Sequence, residues 1–134
     1  MTHTRHIDSN GILVTKFAGV VTLDELIEIQ NELENYARDG EIYELVIHPD
    51  DSELLQSMNE SIISAENVAK TLKKFKKGAI AFVAGRDFIY GVCRQLQMRV
   101  ENEYIHLSVF RTEDTAHKWL CEIKTLNASD TGDA

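Results

Sequence analysis

The side chains that could carry acid–base chemistry gather at His48, Asp50 and Asp51, at the end of the segment Tyr43 to His48, in which Leu45, Val46 and Ile47 are a continuous apolar run. A histidine beside carboxylates at the C-terminal end of a parallel strand has the makings of a proton-transfer pair. The competing reading is a turn in which Asp50, Asp51 and Ser52 cap the next helix. No nucleophile accompanies the pair, and G-x-S-x-G, H-E-x-x-H, P-loop and G-x-G-x-x-G patterns are all missing from the sequence. The expectation is therefore a protein that is not an enzyme and carries no cofactor.

Cationic chemistry has two candidate places. Lys70, Lys73, Lys74, Lys76 and Lys77 hold five of the 14 basic residues. They suit a helix C-terminus, whose partial negative charge each cation offsets by about 0.3–1 kcal/mol, or alternatively an acidic partner or anionic lipid. Tyr90 and Arg94 stand four apart on one helical face, with Arg86 at the helix entry. They form either a surface cation–π pair or the polar rim of a ligand site, because a guanidinium fork suits carboxylate or phosphate. His117 and Cys121 are also four apart, but no third or fourth metal ligand is evident. Cys93 falls on an inward apolar stripe as a small hydrophobe, and Trp119 is read as core.

Composition bounds what these residues can belong to. A chain of 134 residues, 43% hydrophobic and 27% charged, makes one domain able to bury about two-thirds of its surface. A net charge of −8 argues against nucleic acid. Two cysteines are no disulfide framework, and no apolar run spans a bilayer or marks a signal peptide, so a cytoplasmic domain is expected.

The elements that must position these residues follow from periodicity. Ile7–Asp8, the Asn10-Gly11 turn and Ile12 to Phe17 form a hairpin, with both turn residues suited to positive φ. Thr22-Leu23-Asp24-Glu25 is a capping box, opening a helix with Leu26, Ile29, Leu33 and Tyr36 on one face. Tyr43 to His48 is a strand covered on both sides, ended by the single proline, Pro49. A second helical region carries Leu54, Met58, Ile62, Ala65, Ala69 and Leu72 at helical spacing, widened by Leu55 and Ile63. Ala79 to Ala84 and Ile105 to Phe110 are strands. Between them runs a helix with Ile89, Cys93, Leu96 and Val100 inward, and after them a helix capped by Thr112 with Ala116, Trp119, Leu120 and Ile123 inward. The order β-β-α-β-α-β-α-β-α predicts an α/β fold with a single mixed, mostly parallel five-stranded sheet and about four helices. The core spans about residues 7–126, with tails at 1–6 and 127–134.

Three stretches resemble the SpoIIAA-like proteins of the STAS (sulfate transporter and anti-sigma factor antagonist) superfamily. They are Gly19-Val20-Val21-Thr22-Leu23-Asp24-Glu25, the strand-plus-helix Lys77 to Val83 with Phe88-Ile89-Tyr90-Gly91-Val92-Cys93-Arg94, and Val109 to Leu120. The resemblance implies either a domain that holds an apolar or amphipathic ligand such as a lipid, or a protein-interaction regulator akin to an anti-sigma factor antagonist. Antagonists carry a phosphorylatable Asp-Ser-(Ser/Thr)-Gly site, and Asp50-Asp51-Ser52-Glu53 departs from it, so no phosphorylation is expected here. The expected ligand site comprises Leu54, Met58 and Ile62 as an apolar cover, with Arg86, Tyr90 and Arg94 at its rim. A homodimer or a protein partner is the competing use of the same apolar surface.

Overall fold

The computed structural model describes residues 3–55, 57–100 and 102–132, the side chains of residues 55, 58 and 130–132 lying outside the described set. Strands β1 (His3–Ile7), β2 (Leu13–Phe17), β4 (Glu41–His48), β6 (Lys77–Ala84) and β7 (Ile105–Phe110) form one sheet in the order β1-β2-β4-β6-β7. β1 is antiparallel to β2 and every other pair is parallel. This is the mixed five-stranded α/β fold expected from the alternation of strands and helices. β3 (Val20–Thr22) and β5 (Glu53–Leu55) pair in parallel as a separate two-stranded sheet.

Right-handed crossovers between sequential neighbours put α1 (Leu23–Asn31), α2 (Met58–Leu72) and α3 (Asp87–Arg99) on one face. α4 (Glu113–Gly132) covers the other. Alternation along β4 sorts its side chains accordingly. Ile42, Glu44, Val46 and His48 face the three helices, and Tyr43, Leu45 and Ile47 pack with Ala116 and Leu120 of α4. Trp119 is partly buried there, its ring 5.5 Å from Phe110. Gly78 lets β6 approach β4 closely: a Cβ at this position would run into the carbonyl oxygen of Ile42.

Several local expectations are corrected. Only Gly11 of the Asn10-Gly11 pair takes positive φ (+76°), and the Gly11 amide donates to the Asp8 carbonyl. The loop is thus a three-residue turn closed by a left-handed glycine, steadied by the Asp8 carboxylate, which accepts from the amides of Asn10 and Ile12. Thr22 accepts from the Glu25 amide as a cap should, but the Glu25 carboxylate bonds His3 Nδ1 at 2.7 Å instead of reaching back. Residues 53–55 are a strand, so Leu54 is not on the second helix. That helix starts only at Met58, where Ser57 and Glu60 make a reciprocal capping box. Ser52 is fully buried and caps nothing; its hydroxyl donates to the Pro49 carbonyl at 2.8 Å within a turn. At the ends, β1 takes in residues 3–6, and α4 runs on through residues 127–132. Asn127 secures this last stretch by donating to the Tyr43 hydroxyl at 2.8 Å.

Candidate functional site

The face under α1, α2 and α3 encloses a cavity of about 90 Å³. Its floor is Thr15 and Phe17 of β2, Glu44, Val46 and His48 of β4, and Phe82 of β6. Leu26, Ile29 and Leu33 wall one side, and Val92, Cys93 and Leu96 of α3 the other. α2 supplies Ser61, Ser64, Val68 and Thr71, and Leu54 closes the space from β5. The cavity reaches solvent beside Gln95 and Arg99, both exposed.

The α2 face above the floor sets short polar side chains beside Val68 and Leu72. Ser64 and Thr71 are buried where a close-packed interior would place larger apolar groups. The α1–α2 seam is correspondingly polar. Gln30 Nε2 donates to Ser64 Oγ at 3.1 Å, and Asn67 Nδ2 donates to Gln30 Oε1 at 2.9 Å and Asn31 Oδ1 at 3.2 Å.

On the floor, two polar features interrupt the apolar lining. The first is a closed network. Arg5 and Thr15 are directly opposed in the β1–β2 register, so both project to the same face. Arg5 Nε donates to Thr15 Oγ1 at 2.8 Å, Nη2 to Glu44 Oε2 at 2.9 Å and Nη1 to the Ile29 carbonyl at 2.9 Å. Thr15 Oγ1 in turn donates to Glu44 Oε2 at 2.7 Å. The Arg5 and Glu44 side chains are only 5% and 6% exposed, and the guanidinium also lies 5.2 Å from the Tyr36 ring centre. A buried ion pair needs this degree of satisfaction to offset its desolvation.

The second feature is not closed. His48 is buried, with its ring stacked on Phe17 at 4.7 Å and 19°. Its Nδ1 has no hydrogen-bond partner, the only fully buried side-chain nitrogen or oxygen so left among the described residues. Burial pushes its pKa down to about 4, so the imidazole is neutral at pH 7. Asp50 is exposed and makes no hydrogen bond to His48. The acid–base pair weighed from the sequence is therefore not assembled.

Of the residues expected to form a ligand site, Leu54 lines the cavity. The Met58 side chain lies outside the described residues. Ile62 is half-buried on α2 but does not line the space. The three expected rim residues go elsewhere. Arg86 donates to the carbonyls of Ser52 at 3.1 Å and Asp50 at 3.5 Å, clamping the loop after β4. Tyr90 is covered by the guanidinium of Arg111 at 3.8 Å rather than by Arg94. Arg111 also holds Asp87 at 2.9 Å. Arg94 is exposed and donates to Gln97 Oε1 at 3.2 Å. The reason is rotational: the inward stripe of α3 runs through Ile89, Cys93 and Leu96, and Arg99, three residues after Leu96, is the arginine carried to the cavity mouth.

The other candidates settle as follows. Cys93 is buried in the cavity wall, its thiol pKa pushed up to about 12 by burial. His117 Nε2 meets Asp8 Oδ2 at 3.1 Å, and its Nδ1 lies 3.7 Å from Cys121 Sγ. No group of three or more His, Cys, Asp or Glu gathers as a metal site among the described residues. In the lysine cluster, Lys74 pairs with Glu34 at 3.2 Å and Lys77 donates to the Asn127 carbonyl. No helix among the described residues is long and apolar enough to cross a membrane.

Arg5, Thr15, Glu44 and Ser64 were not singled out from the sequence. One signal was available: Glu44 interrupts the otherwise apolar segment 42–47, and a carboxylate in a doubly covered strand needs a buried partner. Compared with protein-family models, curated proteins and solved structures, the chain matches none.

Proposed function

We propose that this chain is a non-enzymatic binding domain that holds a small apolar or amphipathic molecule between its sheet and the α1–α3 layer. The observation that carries this reading is the cavity itself, apolar in most of its lining, open at one mouth and bordered there by Arg99. Its size limits the occupant. About 90 Å³ is less than the roughly 150 Å³ of an engineered apolar cavity that takes benzene. The enclosed part of a ligand is then a few heavy atoms, such as the end of a chain, and the remainder of a longer amphipath lies along the mouth. Covering about 150 Å² of such a group is worth roughly 4 kcal/mol, a Kd of about 1 mM before association costs. Tighter binding requires contacts at the mouth, where Arg99 is exposed.

The competing reading is a protein-interaction regulator that resembles an anti-sigma factor antagonist but lacks its phosphorylatable serine motif; Ser52, fully buried with its hydroxyl engaged to Pro49, is in keeping with the expected lack of phosphorylation there and does not bear on partner binding. The resemblance to SpoIIAA-like domains is compatible with ligand holding. The test is titration with n-pentane, followed by amide NMR shifts of residues lining the cavity. Saturable shifts at Val68, Val92 and Leu96, abolished in a folded Val68→Phe variant that fills the space, support the proposal. A folded protein whose spectrum n-pentane leaves unchanged refutes it. Native mass spectrometry of protein from its own cells reads the natural occupant.

A further inference from the structure

Resting on the cavity reading above, we infer that the ligand is an aliphatic monocarboxylate, its chain end enclosed under α2 and its carboxylate held at the mouth by Arg99 and Gln95. The charges around the cavity set the sign of the head group. Among the described residues the lining carries three charged side chains, Arg5, Glu44 and Arg99. Arg5 and Glu44 neutralise each other at 2.9 Å and are only 5% and 6% exposed. Arg99 is the charge that the lining shows to solvent. Gln95, four residues before it and also exposed, stands beside it on the same face of α3. The mouth is thus a cation next to a side-chain amide, both able to donate hydrogen bonds to an anion.

One guanidinium balances one negative charge, and its planar fork matches the two oxygens of a carboxylate. A phosphate monoester carries about −1.5 to −2 at pH 7 and would leave part of its charge unmatched. An ammonium head would meet Arg99 as a like charge. The reverse orientation fails, because a carboxylate at the enclosed end would lie among Phe17, Leu26, Val46 and Phe82. The cation of the floor cannot receive it there, since Arg5 is committed to Glu44, Thr15 and the Ile29 carbonyl. Val68, Val92 and Leu96 offer apolar contact, so the enclosed end is plain hydrocarbon, a few carbons long in the space of about 90 Å³. The mouth is open to water, so the charge contributes as an exposed pair does, about fivefold in affinity.

The test titrates hexanoate, its uncharged isostere hexanamide, hexylammonium and n-pentane at pH 7 and constant ionic strength, followed by amide NMR shifts. Hexanoate is expected to bind about fivefold tighter than hexanamide, shifting the wall amides of Val68, Val92 and Leu96 together with the mouth amides of Gln95 and Arg99. In Arg99→Gln that preference should vanish while hexanamide affinity holds, and Arg99→Lys should keep part of it. Arg99 is exposed, so both variants leave the packed interior untouched. With n-pentane bound, hexanamide equalling hexanoate, or hexylammonium exceeding it, overturns the carboxylate assignment and leaves the cavity reading standing. A hexanoate preference that survives Arg99→Gln overturns the role of Arg99. Hexanoate shifts at the mouth with none at the wall overturn the enclosed chain. If n-pentane and the three hexyl probes all leave the spectrum of the folded protein unchanged, the carboxylate assignment and the cavity reading fall together.

Discussion

Acid should destabilise this protein through His48, and the size of the effect follows from its burial. An unfolded histidine titrates near 6.5, whereas in the native protein the His48 pKa is about 4. Between those values the unfolded chain binds a proton that the native state does not, so stability rises with pH and is lost as pH falls. At pH 5 the unfolded ring is almost fully protonated and the native ring hardly at all. This one group then removes about 2 kcal/mol of stability between pH 7 and pH 5, and about 3 kcal/mol by pH 4. Urea unfolding of the wild type and of His48→Leu at pH 7, 6 and 5 isolates the term. The contacts of His3 with Glu25 and of His117 with Asp8 are present in both proteins, so their contribution cancels in the comparison. The wild type should lose about 2 kcal/mol more than the variant over this range. Parallel stability profiles, or an NMR titration showing His48 half-protonated at pH 6, would refute the reasoning.

Three further outcomes are expected. Arg5→Met should cost about 3–5 kcal/mol by leaving the Glu44 carboxylate buried with Thr15 alone, and adding Glu44→Leu should recover most of it; a single-variant loss below about 1 kcal/mol in urea melts would contradict the buried-pair account. Gly78→Ala should cost at least about 2 kcal/mol, since its Cβ meets backbone rather than a side chain that can swing away, and an unchanged thermal midpoint would mean the β4–β6 approach is looser than described. Ser52→Ala should cost about 0.5–1.5 kcal/mol by removing the bond to the Pro49 carbonyl, and phosphate found stoichiometrically on Ser52 in native protein would show that this turn opens.

The sheet and its layers were legible in the sequence. Apolar runs at Leu45–Ile47 and Ala79–Ala84 point to strands covered on both faces, and helical stripes between them imply sequential parallel crossovers. These are local signals, because side-chain period and chain direction are properties of neighbouring residues. The Thr112 cap is of the same kind, and so was the capping box Ser57-Met58-Asn59-Glu60, although hydrophobic spacing drew the helix start earlier, across Leu54. The cavity was another matter. Its α2 wall sets three polar residues that hydropathy alone assigns to solvent, Ser61, Ser64 and Thr71, beside Val68 and Leu72, and its floor polarity joins Arg5, Thr15 and Glu44 across 39 residues of chain. Whether Arg94 or Arg99 reaches the mouth turns on the rotation of α3 about its axis, set by how Ile89, Cys93 and Leu96 seat on the sheet. Sequence pattern determines which residues seek burial. Which polar groups are buried with them, and where packing leaves space, is decided only when separate elements meet, because pairing and voids are properties of the contact between surfaces.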